Sequence, residues 1–170
     1  MQLETSRCIL RTPTCADAPS LAKHANNRKV WLNVRDLFPH PYTVSDAEKW
    51  IERVASEEPA YSFAIVAGGE AVGGIGLKRG VDVERVTAEV GYWLGEEFWG
   101  RGIATEAVKA ITDYGFSQLG LVRIFAIPLA NNVASSRVLE KAGYEKECVM
   151  RNACIKDGKI LDMSLYARIK

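Results

Sequence analysis

The segment at residues 98–107, FWGRGIATEA, places a glycine on each side of Arg101. It follows a strand-like stretch at residues 88–94 and leads into a helical pattern that continues to about Leu119. Glycine allows a sharp backbone turn and brings bare amides close to a ligand. Because the first N–H groups of a helix lack partners and its dipole is positive there, this turn predicts a site for a phosphate or pyrophosphate.

Two familiar phosphate-binding motifs do not fit this turn. A Walker A loop ends in Gly-Lys-Ser or Gly-Lys-Thr, and the segment has no such ending. The dinucleotide fingerprint needs a third small residue where Thr105 stands, together with an early βαβ unit that the pattern lacks. A general nucleotide-phosphate binder is therefore disfavoured, whereas a plain strand-to-helix connection remains the structural alternative.

A second motif follows the helix and identifies a family. Residues 122–127 are typical of a strand, which Pro128 ends, and residues 132–144 read NVASSRVLEKAGY. With GRGIATEA at residues 100–107, this NxxSxxVLEKAGY pattern resembles the GNAT superfamily of acyl-CoA N-acyltransferases. It is most similar to the branch that contains the ribosomal-protein N-terminal acetyltransferases. The segments LETSRCILRTPTCADA, FPHPYT and FAIV…GEAVGGIGL agree, so the resemblance covers nearly the whole chain.

The resemblance carries expectations for fold and activity. It implies an α/β, GNAT-like single domain at residues 1–170, with a mixed, mostly antiparallel sheet of about seven strands and about four flanking helices. It implies acetyl-CoA as cosubstrate and a primary amine, either a protein N-terminus or a small amine, as acceptor. The amine would attack the thioester directly in a ternary complex. A non-catalytic acyl-CoA sensor remains the alternative, to be separated by measuring thiol release with a panel of amines.

Composition limits the remaining possibilities. The 170 residues suit one domain, and a net charge of +1 argues against general nucleic-acid binding. Four cysteines without CxxC spacing and only two histidines favour free thiols and no metal site. No signal pattern and no apolar run of about 18 residues is present, so we expect a cytoplasmic protein without a membrane partner. The sequence leaves open whether the protein is a monomer or a homodimer.

Hydrophobic periodicity gives the order β-α-α-β-β-β-α-β-α-β-β. A strand at residues 5–11 precedes a helix at about 15–26 and an irregular stretch at 27–43. Ser45 and Glu48 predict a capping box for a helix at about 46–57. Strands at 61–67 and 71–77 form a hairpin around Gly68-Gly69, and strands at 144–151 and 160–169 form another.

The resemblance also assigns the groups that bind coenzyme A. It places the pyrophosphate on the amides at the glycine turn and the pantetheine arm on backbone groups of Trp93 and Leu94. It also implies that Asn132 orients either the acetyl end of acetyl-CoA or its pantetheine arm. Trp99 reads as a hydrophobic plug beneath the turn. The pyrophosphate ligands are the N–H groups of Arg101, Gly102, Ile103, Ala104 and Thr105, with the Thr105 hydroxyl as an added donor.

Glu89 is the candidate general base or substrate anchor. Acetyl transfer needs a neutral amine, yet α-amines titrate near ~8 and lysine amines near ~10.4. A carboxylate in the middle of a strand loses hydration and needs a partner or a function, and it can take the amine's proton directly or through water. The alternative is a structural carboxylate paired with an arginine such as Arg79 or Arg85.

Ser135 is the candidate partner of the leaving sulfur. Many members of the superfamily have a tyrosine on this helix where Leu139 stands here, so that role is vacant. Ser135 lies one turn earlier on the same stripe, and the resemblance places it near the sulfur. A serine hydroxyl is a weak acid, so hydrogen bonding is the expected contribution. Alternatively, Asn132 and Ser135 only cap the short helix.

One further segment is a candidate for the acceptor side of the site. Residues 31–42, WLNVRDLFPHPY, are expected to form one wall of the acceptor cleft, by analogy with where this fold binds substrate. Arg35, Asp36 and His40 are its polar groups. Packing of aromatic and proline residues within a loop is the alternative explanation of this segment.

Overall fold

Alternating apolar positions build a single eight-stranded sheet in the computed structural model, which describes residues 1–170. The strand order is β1-β2-β3-β4-β5-β6-β8-β7. The strands are β1 Gln2–Glu4, β2 Ile9–Arg11, β3 Ser62–Ala67, β4 Glu70–Arg79, β5 Thr87–Leu94, β6 Arg123–Ala126, β7 Glu145–Lys156 and β8 Lys159–Ile169. The helices are α1 Ala18–Ala25, α2 Arg28–Trp31, α3 Val44–Ala55, α4 Ile103–Ser117 and α5 Val133–Lys141.

The pairing of β5 creates a gap in the sheet. Strand β5 pairs antiparallel with β4 along its length, from Ala88 to Leu94. With β6 it forms the only parallel pair, and that pair ends at Glu89 and Phe125. Beyond this point β5 and β6 separate, so residues 90–94 have an unpaired edge. The predicted mixed, mostly antiparallel sheet is confirmed, with eight strands and five α-helices.

Two cores cover the two faces of the sheet. The larger core includes Val90 and Leu94 of β5 and the apolar stripe of α4, and α5 joins it through Leu139. The smaller core lies on the other face, where α1 and α3 pack and where Trp93 of β5 contacts them. The α4 stripe keeps the predicted helical spacing, and its buried members are Ile103, Ala107, Ile111 and Tyr114. Each large apolar side chain buried in this way contributes about 1.5–3 kcal/mol.

Both predicted hairpins are present, and each has a tight turn with positive φ angles. Gly68 and Gly69 have φ values of 61° and 87°, and Asp157 and Gly158 have 50° and 73°. Two consecutive positive φ angles are typical of a tight hairpin turn that matches the twist of its strands. Strand β7 extends past the predicted end at residue 151 to Lys156, and its pairing with β8 shifts register between Met150 and Cys154. At this register shift Asp162 Oδ1 accepts a hydrogen bond from Asn152 N at 2.8 Å.

Three local expectations were wrong. The strand predicted at residues 5–11 is reduced to β2, and β1 lies before it, because Thr5 begins a turn in which its N–H donates to Cys8 O at 3.0 Å. The capping box of α3 is formed by Thr43 and Asp46, which exchange backbone-to-side-chain hydrogen bonds, so the helix begins earlier than predicted. The stretch predicted to be irregular contains the short helix α2. None of the helices combines the length and apolar character needed to cross a bilayer.

Candidate functional site

The glycine turn has the backbone geometry of an anion-binding turn. Gly100 and Gly102 have φ values of 74° and 76°, and Gly102 is the N-cap of α4. A Cβ at Gly100 would meet no atom within 4 Å, so the turn is open to solvent. An L-residue in this left-handed region is strained, which explains why glycine stands at both positions.

The amides of this turn are unpaired. The first backbone hydrogen bond of α4 runs from Glu106 N to Gly102 O at 3.1 Å. The N–H groups of residues 100–105 donate to no backbone carbonyl of the protein. Unpaired N–H groups that follow left-handed glycines at the positive end of a helix dipole form a concave site for an anion. The turn therefore fits a pyrophosphate, and it contains every residue predicted to bind one.

Arg7, in the loop between β1 and β2, was not foreseen at this turn. Its Nη1 donates to Arg101 O at 3.1 Å, and its side chain lies beside Gly102. Arg101 itself places its guanidinium 5.3 Å from the centre of the Phe98 ring. Arg7 thus ties the turn to the first strands and adds a positive charge. Nothing in the local sequence indicates this contact, because the two residues are 94 positions apart.

Trp99 does not lie beneath the turn as predicted. It is 43% exposed, and its Nε1 donates to Leu94 O at 2.7 Å. This hydrogen bond of the indole therefore holds the residue before the glycine turn against the end of β5. The prediction of a hydrophobic plug was wrong because the indole N–H donates to the Leu94 carbonyl, which has no strand partner at the gap.

Alternation along β5 decides which backbone groups face the gap. Val86 O accepts from Val122 N, on the β6 side, whereas Thr87 O accepts from Gly80 N, on the β4 side. Extending this alternation turns the backbone groups of Tyr92 and Leu94 toward the gap and those of Trp93 toward β4. Of the two residues predicted to pair with the pantetheine arm, Leu94 therefore presents its backbone to the gap and Trp93 does not.

Asn132 and Ser135 lie at the start of α5. Asn132 Oδ1 accepts from Ser135 N at 3.1 Å, so the capping role foreseen as an alternative is present. Ser135 Oγ lies 2.7 Å from the hydroxyl oxygen of Tyr92 on β5. Burial raises the pKa of Tyr92 to about 12, so this phenol stays protonated at neutral pH. Leu139, at the position where many family members have a tyrosine, is fully buried in the core. The phenol that contacts Ser135 comes instead from Tyr92 on β5.

Glu89 pairs with Arg35 and not with the arginines suggested by sequence proximity. Arg35 Nη2 donates to Glu89 Oε1. Arg79 instead donates to Arg85 O at 2.7 Å. The Glu89 side chain is 22% exposed and stands in the last β5–β6 pair, where the gap begins. The structure therefore places the candidate base at the gap, with a competing cation beside it.

The predicted acceptor wall is attached to the β7–β8 turn. Lys156 Nζ lies 2.7 Å from Asp36 Oδ1 and 3.7 Å from the centre of the Trp31 ring. Arg28 Nη2 donates to Asp157 at 2.8 Å. His40 stacks on Trp31, with ring centres 5.7 Å apart. Loop packing, the alternative reading of this segment, is thus present. Arg35 and Asp36, adjacent in the chain, connect the wall to β5 on one side and to β7 on the other.

Comparison with known proteins gives consistent matches. The family model described as Acetyltransferase (GNAT) domain matches residues 7–145. The uncharacterized N-acetyltransferase p20 of Bacillus licheniformis is 32% identical over 99% of this chain and 96% of its own length. The ribosomal-protein-serine acetyltransferase of Escherichia coli (strain K12) is 33% identical, over 83% of this chain and 80% of its own.

A solved structure shows the same fold. The ribosomal L7/L12 alpha-N-protein acetyltransferase RimL, determined in complex with coenzyme A, superposes with a TM-score of 0.85 at 21% identity. The match covers 99% of this chain and 98% of that one.

Proposed function

The chain belongs to the GNAT family of acetyltransferases, and from this premise we propose that it acetylates the free α-amine of a protein N-terminus. Family membership makes acetyl-CoA the cosubstrate, as the sequence predicted. The activities named for two similar proteins, a ribosomal-protein-serine acetyltransferase and an alpha-N-protein acetyltransferase, favour a protein acceptor over a small amine. A ribosomal acceptor would place the reaction in the cytoplasm. We propose that residues 1–170 act as one domain.

One observation carries the part of the proposal that concerns acetyl-CoA. The unpaired amides of residues 100–105 stand at the end of β5, next to the edge where β5 and β6 separate. An anion site and an open strand edge side by side fit a ligand with a diphosphate at one end and an amide-containing arm at the other. The residues proposed to bind the pyrophosphate are Arg101, Gly102, Ile103, Ala104 and Thr105, and Leu94 is proposed to bind the arm.

The residues at the gap then have separate tasks. Bound acetyl-CoA supplies a thioester that a neutral amine attacks, releasing the thiolate of coenzyme A. Backbone N–H groups of Tyr92 and Leu94 face the gap and are the donors available to polarise a carbonyl oxygen there. Holding the amine and this carbonyl in line lowers the barrier by several kcal/mol. Glu89 receives the amine's proton or anchors the ammonium, in competition with Arg35.

Thiol release with matched peptides tests the acceptor. One peptide has a free α-amine and no lysine, a second has a blocked N-terminus and one lysine, and a polyamine represents small amines. We expect release with the first peptide alone, and mass spectrometry should locate the acetyl group on its terminal nitrogen. Release confined to the lysine peptide or to the polyamine would contradict the proposed acceptor. Binding of acetyl-CoA without thiol release in the presence of any of these amines would instead indicate a non-catalytic sensor.

A further inference from the structure

A hydroxyl–hydroxyl contact crosses the mouth of the gap. Tyr92 stands on β5 beyond its last pair with β6, and Ser135 lies in the first turn of α5. The two oxygens are 2.7 Å apart, although the residues are 43 positions apart in the chain. The Tyr92 hydroxyl also lies 3.4 Å from Ser135 O. The side chain of Tyr92 thus fixes the Ser135 hydroxyl at the edge where the thioester is proposed to lie.

We infer that Tyr92 positions the Ser135 hydroxyl to donate a hydrogen bond to the sulfur of coenzyme A. The inference rests on the proposed function and assigns Tyr92 a positioning role. When Tyr92 donates to Ser135 Oγ, the serine proton is left for a further acceptor. The backbone N–H of Ser135 is already bound by Asn132, so the hydroxyl is the donor that this residue has to offer.

A second hydroxyl pair in the same core shows what a purely structural contact looks like. The Tyr144 hydroxyl oxygen lies 2.6 Å from Thr112 Oγ1. Burial raises the pKa of Tyr144 to about 12, as it does for Tyr92. The Thr112 hydroxyl, however, also donates to Val108 O at 2.7 Å. Its proton is therefore used within its own helix. Ser135 makes no such bond, and the only side-chain partner of its hydroxyl is Tyr92.

The acidities of the groups decide that this pair donates a hydrogen bond and does not transfer a proton. An alkyl thiol such as cysteine titrates near ~8.5. Its thiolate is therefore too weak a base to deprotonate a phenol whose pKa is about 12, and the serine hydroxyl that faces the sulfur is a weaker acid still. In the reaction the N–C bond forms and the C–S bond breaks with its electron pair on sulfur. The amine's proton goes to Glu89 or water, and Tyr92 and Ser135 keep theirs. The thiolate is protonated from solvent.

Calorimetric binding of coenzyme A and desulfo-coenzyme A isolates the contribution of the sulfur. The proteins are wild type, Tyr92→Phe, Ser135→Ala, the double variant and the matched control Tyr144→Phe, all at about pH 9, where a thiol is largely ionised. We expect wild type to prefer coenzyme A about tenfold, the value of one charge-assisted hydrogen bond. This preference should fall toward unity in Tyr92→Phe, Ser135→Ala and the double variant, and persist in Tyr144→Phe.

Several results would overturn the inference. If Tyr92→Phe kept the wild-type preference for coenzyme A over desulfo-coenzyme A, Tyr92 would not position Ser135. If adding Tyr92→Phe to Ser135→Ala lowered this preference further, Tyr92 would act on the sulfur directly. A wild type that acetylates peptides but binds both ligands equally would overturn the inference and leave the proposed function intact. A folded wild type that binds neither ligand would overturn both.

Discussion

Arg35 reaches across 54 positions of sequence to donate a hydrogen bond to Glu89 Oε1, at the point where β5 and β6 part. The arginine belongs to the predicted acceptor wall and its side chain is 60% exposed, whereas the carboxylate belongs to the sheet and is 22% exposed. A cationic amine bound at Glu89 would compete with Arg35 for the carboxylate. This pair makes the proposed function of Glu89 separable from its structural role, since either partner can be neutralised alone.

Glu89→Gln should lower turnover by about a hundredfold or more at neutral pH, as expected for loss of a general base. The loss should shrink at high pH, where the acceptor amine is already neutral. The matched variant Arg35→Gln removes the same ion pair and keeps the carboxylate, so its turnover should stay within severalfold of wild type. Equal losses in both variants, measured by thiol release, would show that Glu89 matters only as a partner of Arg35.

Gly102→Ala should weaken binding of coenzyme A, because a side chain at φ 76° strains the turn and pushes against Arg7. Gly120→Ala is the matched control. Gly120 has φ 66°, and a Cβ there would meet no atom within 4 Å. Both variants should lose roughly 1–2 kcal/mol of stability from left-handed strain. Only Gly102→Ala should lose affinity in calorimetry, and unchanged affinity in the folded variant would contradict the site.

Asp36→Asn should destabilise the protein more than Lys156→Met. Lys156 is 5% exposed in its side chain, whereas Asp36 is 68% exposed. Removing the aspartate leaves a buried ammonium without its counter-charge, at a cost of about 1–3 kcal/mol. Removing the lysine leaves an aspartate that water solvates, at a cost of less than about 1 kcal/mol. Urea unfolding measures both, and the reverse order would mean that Lys156 is stabilised mainly by Trp31.

Asp17 should make the stability of the fold depend on acid pH. Two hydrogen bonds of 2.7 Å from the Arg11 guanidinium lower the pKa of Asp17 below its usual value. Because the folded pKa is the lower one, the stabilisation is present above about pH 4 and is lost as pH falls through the folded pKa. The difference in unfolding free energy between wild type and Asp17→Asn should therefore shrink between pH 7 and pH 3.

Glu147 provides the contrast for this measurement. Its pKa is also lowered by hydrogen bonds from an arginine, Arg123, but the pair lies at the surface. Solvent screens such pairs, so Glu147→Gln should change the free energy of unfolding less than Asp17→Asn does at every pH. A larger effect of Glu147→Gln would contradict this ranking of the two carboxylates.

Local chemistry explains which predictions succeeded. The glycine turn, the hairpin turn at Gly68-Gly69 and the Asn132 cap all depend on residues within a few positions of one another. Their backbone angles and hydrogen bonds are set by short-range sterics, so they are readable from sequence. The capping box of α3 failed for a related reason: Thr43 with Asp46 and Ser45 with Glu48 both satisfy the local pattern, and only packing of the helix chooses between them.

The sequence by itself determined the order of the elements from β3 onward, the glycine turn with its free amides and, through the two motifs, the family. Only the tertiary structure decided that Glu89 meets Arg35, that Tyr92 meets Ser135 and that Lys156 lies between Asp36 and Trp31. Each of these contacts joins segments that are far apart in the chain. Their formation depends on how distant helices, strands and loops pack against one another, and no local preference of the residues encodes these contacts.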